Sequence, residues 1–360
     1  MSMNFTVQSN IRNYDVLIQP TSDFIGQLAR HPQTYFVVDE NVWNLYSATL
    51  LKDLPANDVI VLPINEDHKN LETVQELYDQ FVKLSAKRNL TLISFGGGIL
   101  QDITGFAAST IYRGINWIYI PTTLLAQADS CVGSKTSLNY RGYKNLIGTF
   151  FPPTQIHIYT PFLKTQKESD FYSGFGEVIK LHLMGGESHF RELVQHAPDI
   201  LSRDPEALLQ SIRASLAVKL SYMAGDEFDT GRRNLLNYGH DFGHALESTS
   251  NFAIPHGQAV IFGMLAANLV ARNRGLLSEA LVDEIAQKLL LPSLKILPAS
   301  ESIKPEVLIA VMKKDKKRTG DLLALIMMQN NFDFVRVNDL TLQEVITAIT
   351  ECKAILDLQA

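Results

Sequence analysis

The chain has 360 residues, 46% hydrophobic and 19% charged, the proportions of a globular protein with a full apolar core and room for two ordinary domains. Its formal net charge of −6 argues against nucleic acid as a partner, and its two cysteines, Cys131 and Cys352, form neither a disulfide framework nor a Cys-x-x-Cys metal site. The longest apolar runs, such as 259–270, are too short to cross a bilayer, and no basic-then-apolar leader opens the chain, so a cytoplasmic protein with no membrane partner is expected.

In chain order, residues 5–7 and 14–18 read as an opening hairpin around Asn10. Segments 34–39, 59–64 and 90–95 are short β-branched or aromatic runs ending in polar residues or glycine. Between the last two, 72–88 carries leucine, tyrosine, phenylalanine and valine at helical spacing. Such alternation predicts an α/β domain with a mainly parallel, Rossmann-like sheet covered by helices. Gly96-Gly97-Gly98 ends one strand and precedes a helix containing Asp102; it reads equally as a phosphate or dinucleotide turn or as a plain tight turn. Asp39, at a strand end, suits a ribose hydroxyl or a helix cap. Residues 112–114, 121–130, 133–136 and 144–145, rich in threonine, glycine and lysine beside Asp129, look like a loop wrapped round an anion.

After Pro152-Pro153 the pattern changes to amphipathic helices at 188–195, 205–224, 235–249, 257–274, 278–290 and 305–313. A hairpin at 322–328 and 332–337 and a closing helix at 341–355 follow. The expected organisation is an α/β domain, 1–163, and a mainly helical, all-α-rich domain, 164–360. The densest chemistry lies in the second, where Arg233, Asn237, His240, His244 and His256 gather three of the nine histidines. His240 and His244, four apart, share one face of a helix, and His256 opens the next apolar run. Such a group suits a metal centre beside an anion pocket. Lys135, Lys144, Lys180, Lys219 and Arg233 are cations in an acidic chain and point to a small, multiply charged anion.

Taken together, Gly96-Gly97-Gly98…Asp102, Tyr112-Arg113-Gly114, Pro121-Thr122-Thr123-Leu124-Leu125-Ala126…Asp129-Ser130, Lys135-Thr136, Lys144-Asn145, Gly176-Glu177-Val178-Ile179-Lys180 and Gly239-His240…His244…His256-Gly257 resemble 3-dehydroquinate synthase and its sugar-phosphate cyclase relatives. The resemblance runs from about residue 39 to 317 and implies the dehydroquinate synthase-like fold, with a nicotinamide cofactor in the first domain and metal and substrate in the second. It implies Zn²⁺, with Co²⁺ as a substitute, on Glu177, His240 and His256. NAD would meet Asp39, Glu66, Lys69, Gly97, Gly98, Asp102, Thr122 and Thr123. The implied substrate is 3-deoxy-D-arabino-heptulosonate 7-phosphate, converted to 3-dehydroquinate and phosphate in the shikimate pathway. Lys219 and Arg233 would bind its carboxylate, and Lys135, Asn145, Asn237 and His244 its phosphate, with Arg113 reaching across from the second subunit of a homodimer. Asp129, Lys144 and Lys180 would serve ring hydroxyls and proton transfer, and Lys316, or Lys317 in an alternative alignment, would close over the pocket.

Sister cyclases whose substrates lack a carboxylate tend to lose the equivalents of Lys219, Asn237 or His244, all retained here. An amino-sugar phosphate fits the same motifs. A metal-dependent polyol dehydrogenase has no need of Lys135, Asn145 and Arg113. Departures from the family pattern are Asn65, Gln101 and Ser134 where glycine is common, Gly176 for alanine, Asp241 for threonine, and Leu181-His182 for Tyr-Gly. They bear on substrate preference, and His182 is expected on a helix surface.

Overall fold

A computed structural model describes residues 4–84, 87–313 and 323–358, and the chain divides into two compact units, Met1–Gln166 and Lys167–Ala360. In chain order the first unit holds β1 (Phe5–Val7), β2 (Tyr14–Ile18), α1 (Asp23–Ala29), β3 (Thr34–Asp39), α2 (Glu40–Tyr46), β4 (Val59–Leu62) and α3 (Leu71–Lys83). It continues with β5 (Thr91–Gly96), α4 (Gly98–Thr110), β6 (Asn116–Pro121), β7 (Lys135–Tyr140), β8 (Tyr143–Phe150) and β9 (Gln155–Ile158). Seven strands form one sheet in the order β1-β2-β9-β6-β5-β3-β4, parallel at every pairing except β1 with β2.

Every residue of the interior strand β5 is buried, as a parallel strand covered on both faces requires. Alternate residues Phe36 and Val38, Ile93 and Phe95, and Ile118 and Ile120 point to one face, where Phe24, Ile25 and Leu28 of α1 cover them. Burying each such side chain stabilises the unit by roughly 1.5–3 kcal/mol. Of the segments expected as loop, residue 121 ends β6, 135–136 open β7 and 144–145 lie in β8. The polar residues fit strands because the β7–β8 hairpin alternates: Thr136 and Leu138 are buried while Lys135 is exposed. Thr136 and Thr149 share a hydroxyl hydrogen bond of 2.7 Å across the pair.

The second unit holds α5 (Glu168–Met184), α6 (Glu187–Leu201), α7 (Pro205–Met223), α8 (His240–Thr249), α9 (His256–Asn273) and α10 (Glu279–Ile285). It ends with α11 (Leu291–Ser293), α12 (Pro305–Met312), the antiparallel pair β10 (Leu323–Met328) and β11 (Phe334–Leu340), and α13 (Leu342–Ile355). Local signals set several boundaries. Asp204 accepts from the N–H groups of Glu206 and Ala207 at 3.1 and 2.9 Å, with Pro205 as the first helical residue of α7. Thr341 and Glu344 form a reciprocal capping box on α13. The helix expected over 235–249 begins only at His240, because Gly239 sits at φ 79° and separates it from a 3₁₀ turn, Arg232–Asn237. At the centre lies α9, buried from Gly257 to Ala271, with α5, α8, α13 and β10 packed on it. Among the described residues no helix is long and apolar enough to cross a membrane.

Candidate active site

Glycine contacts let three helices of the second unit approach closely. A Cβ on Gly176 would lie 2.3 Å from the Gly257 carbonyl oxygen, and one on Gly257 only 1.7 Å from that of Ser173. A Cβ on Gly263 would lie 1.8 Å from the Gly239 oxygen. Backbone therefore touches backbone between α5 and α9 and between α8 and α9. The neighbours of these glycines in sequence are Glu177, His240 and His256, so the same contacts that pack the helices assemble the three side chains. Glu177 Oε1 lies 3.1 Å from His256 Nε2 and 3.5 Å from His240 Nε2.

The far side of each ring is also fixed. His240 Nδ1 lies 3.1 Å from the Tyr238 carbonyl oxygen, an atom that only accepts, so Nδ1 carries the proton and Nε2 keeps its lone pair. His256 Nδ1 faces the buried Glu247 carboxylate at 3.2 Å. Such outer partners orient metal-binding histidines, and Glu247 was not singled out from the sequence because its role depends on a contact nine residues away. Two imidazole nitrogens and one carboxylate oxygen converging in a buried corner are the donor set of a catalytic zinc site with a position left for substrate.

The electrostatics of His240 and Glu177 agree with that fit, whereas His256 carries a proton that a bound metal would displace. Burial, helped by Lys180 and the neighbouring histidines, holds His240 well below its ordinary pKa, so the ring is neutral. Burial would raise Glu177, but Lys180, 2.5 Å from its Oε2, and His256 outweigh it and keep the carboxylate ionised. Burial also opposes protonation of His256, yet Glu247 and Glu177 push its pKa up to about 10. Ring nitrogens of His240, His244 and His256 lie within 4.8 Å of one another, so His244, expected on phosphate, is also adjacent to the metal donors.

Lys180, Lys219 and Arg233 are all buried. The Arg233 guanidinium donates to the Glu227 carbonyl, and its backbone N–H to Asp226 Oδ2 at 2.8 Å. Asn237 donates to the Asn234 carbonyl at 2.9 Å. Asn237, His240 and His244 line one pocket with Asn234, Asp241 and Arg336. Lys316 and Lys317 lie outside the described residues. His182 is buried, not on a surface: its Nδ1 sits 2.9 Å from the Val178 carbonyl, and burial lowers its pKa to about 4.

In the first unit, β4 extends the sheet on one side of β3, while β5 and β6 follow on the other. The strand order thus reverses between β3 and β5, and the crevice outside their carboxyl ends is where such sheets bind dinucleotides. Asp39 ends β3 and Gly97 caps α4 after β5. A Cβ on Gly97 would lie 3.1 Å from Thr123 Cγ2, and Thr122 donates its N–H to the Gly96 carbonyl at 3.0 Å, so Gly97, Gly98, Thr122 and Thr123 converge. Asp39 also caps α2, accepting from Asn41 N at 2.8 Å.

Glu66, Lys69, Asp102, Lys144 and Asn145 join one network. Lys69 Nζ lies 2.6 Å from Asp102 Oδ2 and 2.6 Å from Asn145 Oδ1. Ser137 donates to Asp102 from both N–H and hydroxyl at 3.0 Å, and Asn139 donates to Glu66 Oε1 at 2.8 Å. Lys144 Nζ stands 3.7 Å from Glu66 Oε1. Asn145, expected on phosphate, therefore sits with the residues expected on NAD. Ser137 and Asn139 were missed, although they alternate with Lys135 along β7 and so share its face. Asp129 lies half-buried in a π-helical turn, Ala126–Ser130, which Gln101 grips by exchanging two hydrogen bonds of 2.8 Å with Ser130. Ser134 and Arg113 both adopt φ 64°, left-handed backbone that explains the preference for glycine at position 134.

Two family models match the chain: 3-dehydroquinate synthase N-terminal over residues 59–173 and 3-dehydroquinate synthase C-terminal over 174–318. A 3-dehydroquinate synthase of Dehalococcoides mccartyi is 32% identical over 95% of this chain and 97% of its own. One from Clostridium tetani is 39% identical over 71% of this chain and 68% of its own. Among solved structures, a 2-epi-5-epi-valiolone synthase from Streptomyces hygroscopicus with NAD⁺ and Zn²⁺ bound superposes with a TM-score of 0.83 at 26% identity, covering 98% and 99% of the two chains. Motif order, fold and these likenesses agree: the chain belongs to the 3-dehydroquinate synthase family.

Proposed function

We propose that the protein is a 3-dehydroquinate synthase, a carbon–oxygen lyase that converts 3-deoxy-D-arabino-heptulosonate 7-phosphate to 3-dehydroquinate and inorganic phosphate in the cytoplasm. The observation that carries this reading is the convergence of Glu177, His240 and His256, with Lys180 against them, in a unit that also buries Lys219 and Arg233. A homodimer is proposed with it, Arg113 contributing across the subunit contact.

When bound, NAD⁺ supplies a hydride acceptor that is regenerated within each turnover, and Zn²⁺, or Co²⁺ in its place, supplies Lewis acidity. Nε2 of His240 and His256 and Oε1 of Glu177 would hold the metal. Tyr238 O and Glu247 fix the two rings, so little reorganisation accompanies binding. The turn at Gly97 and Gly98 and the Lys69–Asp102–Ser137 network would hold the dinucleotide.

Lys219 and Arg233 supply the charge for the substrate carboxylate, which relatives acting on carboxylate-free sugar phosphates do not need. Loss of phosphate from the carbon β to a ketone requires removal of the acidic proton on the carbon between them, with a C=C bond forming as the C–O bond breaks, and the departing phosphate is itself basic enough to take that proton. The chain's task is then placement, carried by Asn237, with His244 close enough to relay a proton. Retention of carboxylate-binding cations favours the heptulosonate over sedoheptulose or glucose phosphates.

Purified protein supplied with the heptulosonate phosphate, NAD⁺ and zinc should release one phosphate per dehydroquinate formed, without accumulating NADH. Net NADH release would instead identify a polyol dehydrogenase, and turnover of a carboxylate-free sugar phosphate alone would move the protein to a sister activity.

A further inference from the structure

Arg336 stands on β11, beyond residue 318, where the C-terminal family match ends. It nevertheless lines the same pocket as Asn237, His240 and His244. Two contacts put it there. Arg336 is the direct partner of Ile326 across the β10–β11 pair. The Ile326 N–H donates to Asp241 Oδ2 at 3.3 Å, which pins the hairpin to the first turn of α8 beside His240.

One guanidinium nitrogen of Arg336, Nη1, donates to Asn234 Oδ1 at 3.0 Å. A guanidinium has five N–H donors in a planar fork, so one anchored donor orients the rest without exhausting them. Asp241 adds a negative charge to the pocket lining at a position where threonine is usual, and that charge works against an anionic ligand. An arginine in the same lining offsets it.

We propose that Arg336 is a phosphate-binding residue, acting with Asn237 and His244 on the phosphomonoester of the substrate and on the inorganic phosphate it becomes. The proposal rests on the activity proposed above for the identity of the substrate, but not for the class of ligand. Arg336 is exposed, so its replacement does not open the core.

The test compares the full-length protein with Arg336→Gln and Arg336→Lys at constant ionic strength. Losing a charge-assisted hydrogen bond at an accessible site predicts a rise on the order of tenfold in KM and in the inhibition constant of inorganic phosphate for Arg336→Gln. The effect on kcat should be smaller, the melting temperature should not move, and Arg336→Lys should recover part of the loss. Unchanged phosphate inhibition overturns the proposal, even if KM alone rises, because the contact would then be to another part of the substrate. Should the wild-type protein fail to turn over the heptulosonate phosphate, calorimetric titration of wild type and Arg336→Gln with inorganic phosphate decides the matter independently. Equal affinities there refute the role of Arg336 and leave the question of substrate untouched.

Discussion

Replacing Gly257 by alanine tests whether helix packing and the metal centre are one construction. The added methyl carbon would lie 1.7 Å from the Ser173 carbonyl oxygen, an atom of the α5 backbone that cannot rotate away. Restoring an ordinary separation of ~3.5 Å requires α5 and α9 to part by roughly 1.5–2 Å. That movement would also break the hydrogen bond from Gly257 N to Ser173 Oγ, 2.9 Å in the native packing. Overpacking of this kind costs ~1–3 kcal/mol or more. Its effect on the site should be larger, because metal–ligand distances tolerate only about 0.2 Å. Glu177 rides on α5 and His256 on α9, so they separate with the helices. Gly257→Ala should therefore lower the melting temperature and lose most zinc in competition with a chelator. A variant with native zinc affinity would refute the argument, whatever its stability.

Three further outcomes are expected. Glu247→Gln leaves His256 Nδ1 facing an uncharged acceptor and should weaken zinc binding by roughly 10–100-fold, read by chelator competition; unchanged affinity would remove Glu247 from the site. Ser137→Ala deletes a hydroxyl within hydrogen-bond reach of both Asp102 and Asn145, and should weaken NAD⁺ about fivefold by calorimetry without altering zinc content. His182 has a folded-state pKa of about 4 against 6.5 ordinarily, so below pH 6.5 the unfolded chain takes up a proton that the folded chain refuses. Stability should fall as pH drops from 6.5 towards 4, by up to ~3 kcal/mol from this group. His182→Gln should flatten that part of the pH profile of unfolding midpoints, and parallel profiles for the two proteins would exclude the assignment.

Sequence periodicity located elements with one wet and one dry face. Helix α7 and the capped α13 were legible for that reason, and β3 and β5 through their β-branched and aromatic runs. It did not reveal α5, where every residue from Ser173 to Met184 is buried and no polar stripe marks the period. The same burial explains His182, which reads as polar but lies among helices. The parts of β7 and β8 within 133–136 and 144–145 read as loop because their open face carries Lys135, Ser137, Asn139 and Asn145. At the site, residues adjacent to glycine motifs could be named from the chain. Glu247, Ser137 and Asn139 could not, since each acts through a partner that only the fold supplies.

The enclosure of α9 from Gly257 to Ala271 has a bearing on redesign. A helix with no wet side offers no position where a new side chain could be tried without disturbing the ion its first residue would hold. Strand β11 is different, since it exposes Arg336, Asn338 and Asp339 while its partner β10 is tethered to Asp241 through Ile326. Libraries aimed at altered sugar preference would do best to leave the central rod untouched and vary the exposed positions of β11.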